Sequence, residues 1–188
     1  MYYFDGVSTP LGRLHIVVSD SALHRVYFPD EKWTEHYERD GKHPLILLVK
    51  TQLAEYFAGE RRIFDIPLDP EGSEFQKKVW GVLRKIPYGE TLSYAQEAKK
   101  AGKASAARAV GSANGKNPIP IIVPCHRVVP KSGGLGGYSG GEHRKALLLK
   151  LERHYLAPTI QSVKKAKKKV KKAVKKSTAK NKKSKKKK

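Results

Sequence analysis

Apolar and polar residues alternate between Leu14 and Phe28, with Leu14, Ile16 and Val18 on one face, the period-two pattern of a half-buried strand. The clusters Thr9-Pro10-Leu11-Gly12 and Ser19-Asp20-Ser21 supply turns, so the stretch predicts a small antiparallel sheet. From Pro44 to Ala58 the period changes. Leu45, Leu48, Val49, Leu53, Tyr56 and Phe57 recur at helical spacing, and Gly59 stands where a C-terminal helix cap belongs. The run from Phe64 to Gly72 carries two prolines and a glycine, so it cannot be helical throughout and reads as a connector or edge strand. A domain boundary is placed there, closing an N-terminal α/β domain over residues 1–70.

The second domain, residues 71–157, opens on Ser73-Glu74-Phe75-Gln76, which fits a capping box and predicts a helix from about Glu74 to Lys85 with Phe75, Val79, Trp80 and Leu83 at helical spacing. Ile86-Pro87-Tyr88-Gly89-Glu90 breaks it. Ser93-Tyr94-Ala95-Gln96 then repeats the capping pattern before a short Ala-rich helix, a turn at Gly102 and a second Ala-rich helix ending near Asn114-Gly115. Two short helices joined by a tight Gly turn suggest a helix-turn-helix, although most helix pairs of this kind are ordinary core hairpins. Pro118, Pro120 and Pro124 confine Ile119 to Val129 to short strands or extended segments. Ser132 to Gly141 holds six glycines, which suits either a surface loop or a place where a ligand approaches the backbone closely. Ala146, Leu147, Leu148 and Leu151 mark a last helix ending near Arg153. The fold class is therefore mixed α and β (α+β): a small sheet with a helix, then a helical domain.

Charge changes the picture. Of the 188 residues, 39 are Lys or Arg and 17 Asp or Glu, a net charge of +22; 16 of the lysines lie between Val163 and Lys188, which leaves +6 for residues 1–162. A mildly basic body with an overwhelmingly basic tail points to a polyanion, nucleic acid or an anionic surface. Residues 158–188 read as disordered until they meet nucleic acid, although Val163, Ala166, Val170 and Ala173 keep a spacing that allows a helix on DNA. The single cysteine, Cys125, excludes an intramolecular disulfide and any zinc site with two or more Cys ligands. No stretch approaches the roughly 18 apolar residues that span a bilayer, and no secretory signal is present, so a soluble intracellular protein is expected.

A cysteine thiol near its ordinary pKa of about 8.5 needs a base, a cation or a helix N-terminus to become a nucleophile. His126 and Arg127 stand beside Cys125, but neighbours on a strand point to opposite faces, so His126 serves Cys125 only if the backbone bends or a water intervenes. The bland alternative is a small buried hydrophobe. The residues around the cysteine form a longer series: Phe75-Gln76, Val79-Trp80, Ile86-Pro87-Tyr88-Gly89-Glu90-Thr91, Ser93-Tyr94, Ala107-Arg108-Ala109-Val110-Gly111, Asn117-Pro118, Pro124-Cys125-His126-Arg127-Val128-Val129, Gly137-Tyr138-Ser139-Gly140-Gly141 and Glu152. In that order and spacing the chain resembles the methylated-DNA-protein-cysteine methyltransferases, the O6-alkylguanine-DNA alkyltransferase family, densely from Phe75 onward and more loosely over the first 70 residues.

The resemblance implies a helix-turn-helix that holds duplex DNA, flips the damaged guanine out of the stack and presents it to Cys125. It assigns Arg108 to the vacated space in the stack, Tyr94 to the phosphate and base, and Ser93 to the DNA-binding positions beside it. It makes His126 the base, through water, and Glu152 its orienter. Tyr94 and the Ser139 N–H assist the leaving guanine, carbonyls at Cys125 and Val128 read its exocyclic amine, Tyr138 lines the pocket and Asn117 is a strut for the cysteine segment. The implied activity is single-turnover, irreversible transfer of an alkyl group from O6 of guanine, and secondarily O4 of thymine, to Cys125. No cofactor or metal is implied: the zinc that some relatives carry in the N-terminal domain has no cysteines to hold it here. The expected partner is duplex DNA bearing alkylated guanine, met by a monomer that touches no membrane, in the cytoplasm of a prokaryote or the nucleus of a eukaryote, with the tail binding DNA without sequence preference. The rivals are a non-reacting damage sensor, which would lack the cysteine, a tail-driven architectural protein, and a thiol hydrolase that would turn over.

Overall fold

The computed structural model describes residues 1–32 and 36–156. The disorder, DNA binding and helix on DNA expected of residues 158–188 lie outside the described residues. Residues 1–153 form one compact unit. Among the described residues, no helix is long and apolar enough to cross a membrane.

Strands β1 (Tyr3–Thr9), β2 (Gly12–Val18) and β3 (Leu23–Tyr27) form an antiparallel meander. Leu14, Ile16 and Val18 are fully buried, as their alternation predicts. The β1–β2 turn depends on Gly12. Its φ of +97° is left-handed, and a Cβ there would lie 2.7 Å from Pro29 Cγ, so both conformation and space demand glycine. The sheet is mixed rather than wholly antiparallel, because β4 (Glu38–Arg39) adds to β1 in parallel and gives the order β3-β2-β1-β4. A two-residue strand has too little pattern to register in a sequence.

Helix α1 (Pro44–Phe57) starts at His43, whose Nδ1 accepts the Leu45 N–H, and ends at Gly59 with φ +77°. Its buried stripe is Ile46, Val49, Leu53 and Tyr56, at the 3-4-3 spacing of one helix face. Leu48, expected inside, is 39% exposed, because a helix with leucines all along its first turns can bury only one face. Burial of each of the aliphatic side chains Ile46, Val49 and Leu53 is worth roughly 1.5–3 kcal/mol. The connector after α1 runs along the free edge of β3: Leu23 N–H donates to Pro67 O and Asp69 N–H to Leu23 O. The Gln52 amide pins it by exchanging two hydrogen bonds with the Asp65 backbone.

Helix α2 (Glu74–Leu83) carries the Ser73/Gln76 capping box, and α3 (Tyr94–Lys100) carries the Ser93/Gln96 box. Both boxes satisfy two otherwise free N–H groups at a helix start. After Gly102 (φ +82°) comes α4 (Ala107–Gly115), so the helix-turn-helix is present. Trp80 Nε1 donates to Ala113 O at 2.9 Å and ties α2 to α4. Short strands β5 (Leu92–Ser93) and β6 (Val128–Val129) pair in parallel and set the start of α3 beside the segment that holds the cysteine. Helix α5 (Glu142–Leu156) closes the fold. A single hydrophobic cluster runs through both halves of the chain, from Leu14 and Phe28 through Tyr56 to Val110, Ile119 and Leu148.

Candidate active site

The three prolines between residues 118 and 124 remove backbone donors, so the cysteine segment satisfies itself through tight local bonds rather than a ladder. Val123 N–H donates to Ile119 O, Cys125 N–H to Val123 O and Arg127 N–H to Pro124 O. Cys125–Arg127 wind into one 3-10 turn, which corrects the expectation of an extended segment there. The backbone therefore does bend at the cysteine, and the opposite-faces argument that separated Cys125 from His126 no longer applies. Ile121 within the segment has φ 74°, a left-handed conformation that costs a β-branched residue about 1–3 kcal/mol. Packing holds it there, since Ile119, Ile121 and Val123 are all buried. Asn117 cross-ties the same loop: its Oδ1 accepts from Ile119 N–H at 3.0 Å, and its Nδ2 reaches Val123 O at 2.8 Å and Cys125 Sγ at 3.1 Å.

Burial pushes the Cys125 thiol up, while the Asn117 amide, the Tyr138 hydroxyl and the Lys145 ammonium pull it part of the way back. The Tyr138 hydroxyl faces the sulfur without meeting it at normal hydrogen-bond geometry. The resting cysteine is thus a thiol, and reaction requires a base. Behind it, His126 is fully buried, and burial lowers its pKa against the pull of Glu152, so the imidazole is neutral. Burial would raise Glu152, but hydrogen bonds from His126 and Arg127 and the charge of the guanidinium outweigh it and hold the carboxyl at about 2. An ionised carboxylate only accepts. His126 Nε2, 2.9 Å from Glu152 Oε1, must therefore carry the proton, which leaves Nδ1 with its lone pair, buried and without a hydrogen-bond partner. This is the tautomer a general base needs.

Glu152 has more partners than the sequence suggested. Arg127 grips it with Nε at 3.0 and 3.2 Å and Nη2 at 2.8 Å, Tyr56 of α1 donates its hydroxyl at 2.7 Å, and Gly89 N–H donates at 2.8 Å. Arg127 also donates to Ile86 O and lies over the Tyr88 ring. Sequence reasoning missed Arg127, although it follows the histidine directly, and counted Tyr56 only as an apolar helix position. Lys145 was missed too. It is 1% exposed, donates to Val128 O at 2.6 Å and lies 5.9 Å from the Tyr138 ring centre. A signal existed: Lys145, Leu148, Leu149 and Glu152 share one inward face of α5 at i, i+3, i+4 and i+7.

A cavity of about 440 Å³, within the usual small-molecule range of about 300–1,000 Å³, opens between the helix-turn-helix and the glycine-rich loop. Cys125, Tyr94, Tyr138 and Ser139 line it, together with Ala107, Gly111 and Asn114. The loop is docked rather than loose. A Cβ on Gly140 would lie 2.3 Å from Phe28 Cε2, and Arg144 clasps the loop and the N-terminal half through Gly140 O, Asp30 and the face of Phe28. Arg108 is exposed on the first turn of α4, next to cavity-lining Ala107. The structure does not bring Ser93 or Val128 into the cavity lining. The Ser93 hydroxyl is engaged in capping α3, one residue before Tyr94, and the Val128 carbonyl already accepts from Lys145, with one lone pair left over.

A helix-turn-helix that carries a cavity with a buried Cys, a neutral His and an ionised Glu behind it defines a DNA-binding protein with a cysteine nucleophile. Residues 74–154 match the 6-O-methylguanine DNA methyltransferase DNA binding domain, and residues 2–70 match the ribonuclease-like domain of the same family. The chain belongs to the 6-O-methylguanine DNA methyltransferase family. It is 45% identical over 163 residues to the constitutive methylated-DNA-protein-cysteine methyltransferase of Bacillus subtilis (strain 168), covering 81% of this chain and 96% of the relative. To the corresponding enzyme of Mycolicibacterium paratuberculosis it is 46% identical over 156 residues, 82% and 94% of the two chains. The solved structure of Mycobacterium tuberculosis OGT in complex with DNA superposes with a TM-score of 0.77 at 44% identity, over 81% of this chain and 94% of that one.

Proposed function

We propose that this protein repairs alkylated DNA by direct transfer of the alkyl group from O6 of guanine to Cys125, once per molecule. The alkyl carbon on O6 is shielded within the base stack, so the nucleotide must leave the duplex, at a few kcal/mol. Arg108, exposed at the start of α4, takes the vacated place; its guanidinium plane stacks on bases and stays charged. The flipped base enters the cavity and meets Cys125 at its wall. The thiol proton passes to His126 Nδ1 through one water, and the Sγ electron pair forms the new S–C bond. The C–O6 bond breaks, and its electrons go to the guanine, where the Tyr94 hydroxyl and the Ser139 N–H stabilise the developing charge. Arg127 keeps Glu152 ionised throughout, so His126 can become an imidazolium beside a carboxylate. The product is a thioether, which no residue of the site can cleave.

The observation that carries this reading is the tautomer set by Glu152 and Arg127, which aims an unpartnered His126 Nδ1 away from the carboxylate in a site whose cysteine rests as a thiol. A hydrolase built on the same pair would turn over. The test is incubation with a duplex oligonucleotide bearing O6-methylguanine, followed by intact-protein and peptide mass. Expected are one added methylene on the peptide holding Cys125, at most one per molecule, and none in Cys125→Ser, which still binds the duplex. Transfer by Cys125→Ser, or more than one methyl removed per protein, would overturn the mechanism.

A further inference from the structure

Helices α3 and α4 meet at a second buried polar site that the transfer mechanism does not use. Glu97 is fully buried and Asn114 is 7% exposed. Asn114 Nδ2 donates to Glu97 Oε2 at 2.8 Å, and this is their one hydrogen bond. It leaves Glu97 Oε1 and Asn114 Oδ1, both buried, without partners. Both belong to groups already joined through Asn114 Nδ2, and neither finds a donor in the other if the carboxyl is ionised. If Oε1 carries a proton they match, because a carboxylic acid and a primary amide close a ring of two hydrogen bonds, one in each direction. An orphaned buried acceptor carries an uncompensated desolvation penalty, so one proton removes two penalties at once.

We infer that Glu97 is stored as a neutral carboxylic acid, doubly hydrogen-bonded to Asn114, and that this pair is a positioning contact which sets α3 against α4 and makes the helix-turn-helix sensitive to pH. The surroundings agree. On α2, Lys77 and Lys78 are exposed, as are Lys99 and Lys100 of α3, Arg108 of α4 and Lys116 just beyond it; β5 and β6 bring no titratable group. Glu97 forms no ion pair with any of them, and its pKa is raised to about 7 by burial, with the Asn114 hydrogen bond the opposing influence. Tyr94, whose hydroxyl burial pushes up, is pushed further by Glu97 when the carboxyl is ionised. Asn114 lines the base-sized cavity. Loss of the Glu97 proton therefore places an uncompensated negative charge beneath the face that would hold DNA and next to the wall of the cavity.

Part of this inference rests on the proposed DNA-repair function, and part on the fold alone, and the experiment separates them. A carboxyl whose folded pKa lies above its unfolded value of about 4.5 favours the folded state most below pH 4.5. That advantage is lost as pH rises from about 4.5 to 7 and is gone above it. Glu97→Gln keeps the shape and pairs with Asn114 amide to amide without titrating. The folding equilibria of wild type and Glu97→Gln, from denaturant titrations of the full chain, are expected to diverge across that window in favour of the variant, on the order of a hundredfold, and then run parallel. Infrared spectra of the folded wild type are expected to show a protonated-carboxyl carbonyl band that fades near pH 7 and is missing from the variant. Parallel stability profiles, or no such band in the wild type at pH 5.5, would overturn the inference, and the band alone decides it if the variant fails to fold. Separately, affinity for undamaged duplex DNA is expected to fall from pH 6 to 8 by a few-fold more in wild type than in Glu97→Gln. If stability diverges while affinities run in parallel, the neutral acid stands and its positioning role for DNA is overturned; whether Cys125 accepts the methyl group is decided separately, by the mass measurement above.

Discussion

At the scale of single residues, the site shows how one carboxylate sets the protonation of everything around it. Glu152 is buried with a guanidinium, an imidazole, a phenol and a backbone N–H converging on two oxygens, and that surplus of donors is why it stays ionised where desolvation alone would neutralise it. Its pKa falls from an unfolded value near 4.5 to about 2, so the stability it contributes is present above pH 4.5 and is lost as pH falls from there through 2. Replacing Glu152 with Gln leaves Arg127 buried and unpaired, an effect of about 3–5 kcal/mol. The variant is expected to be less stable at neutral pH by that amount, to lose the wild type's acid limb between pH 4.5 and 2, and to transfer methyl groups more slowly with a rate profile displaced to higher pH. Denaturant titration and single-turnover rates measured across pH check all three. An unchanged rate profile would remove Glu152 from the proton path.

At the scale of elements, short pieces are held in place by devices that are local in sequence. The Ser93/Gln96 box begins α3 at Tyr94, β5 pairs with β6, and together these place the tyrosine at the cavity a fixed step from the cysteine turn. Helix α4 begins at Ala107 without a side-chain cap and with Arg108 exposed on its first turn. If Arg108 serves to replace a flipped base, Arg108→Ala is expected to slow reaction in duplex DNA by tenfold or more, consistent with an unstacking cost of a few kcal/mol. Reaction with free O6-alkylguanine, which needs no flipping, is expected to change little. Rates on the two substrates, measured side by side, make the distinction, and equal losses would place Arg108 in the chemistry or the folding instead.

At the scale of the whole molecule, the charge is divided unevenly, with 16 lysines beyond residue 162 and a net +6 in residues 1–162. Each phosphate neutralised on duplex DNA adds about 0.9 to the slope of log affinity against log salt. Deleting residues 163–188 is expected to flatten that slope by several units and to weaken binding at low salt to all sequences alike, while reaction with the free base is unchanged. Filter binding or anisotropy at a series of salt concentrations measures it. A truncated protein with the full slope would mean that the tail does not tether the protein to DNA.

The strand alternation at Leu14, Ile16 and Val18, the two capping boxes, the Gly102 turn and the Pro-Cys-His-Arg run were all legible in the sequence. Each is a local pattern whose physical cause lies within a few residues, so the chain alone determined the longer strands and the helices and singled out Cys125, while the helix pair stayed open between a helix-turn-helix and a core hairpin. The 3-10 turn at Cys125 was not legible, because three prolines and an Ile121 in a left-handed conformation are compatible with many extended paths until Asn117 and the core choose one. Nor was the convergence of Tyr56, Gly89 and Arg127 on Glu152, which joins residues up to 96 positions apart. The protonation of Cys125, His126 and Glu97 was decided at the same level. A pKa depends on which groups surround a side chain and how much water reaches it, and only the tertiary structure brings those groups together.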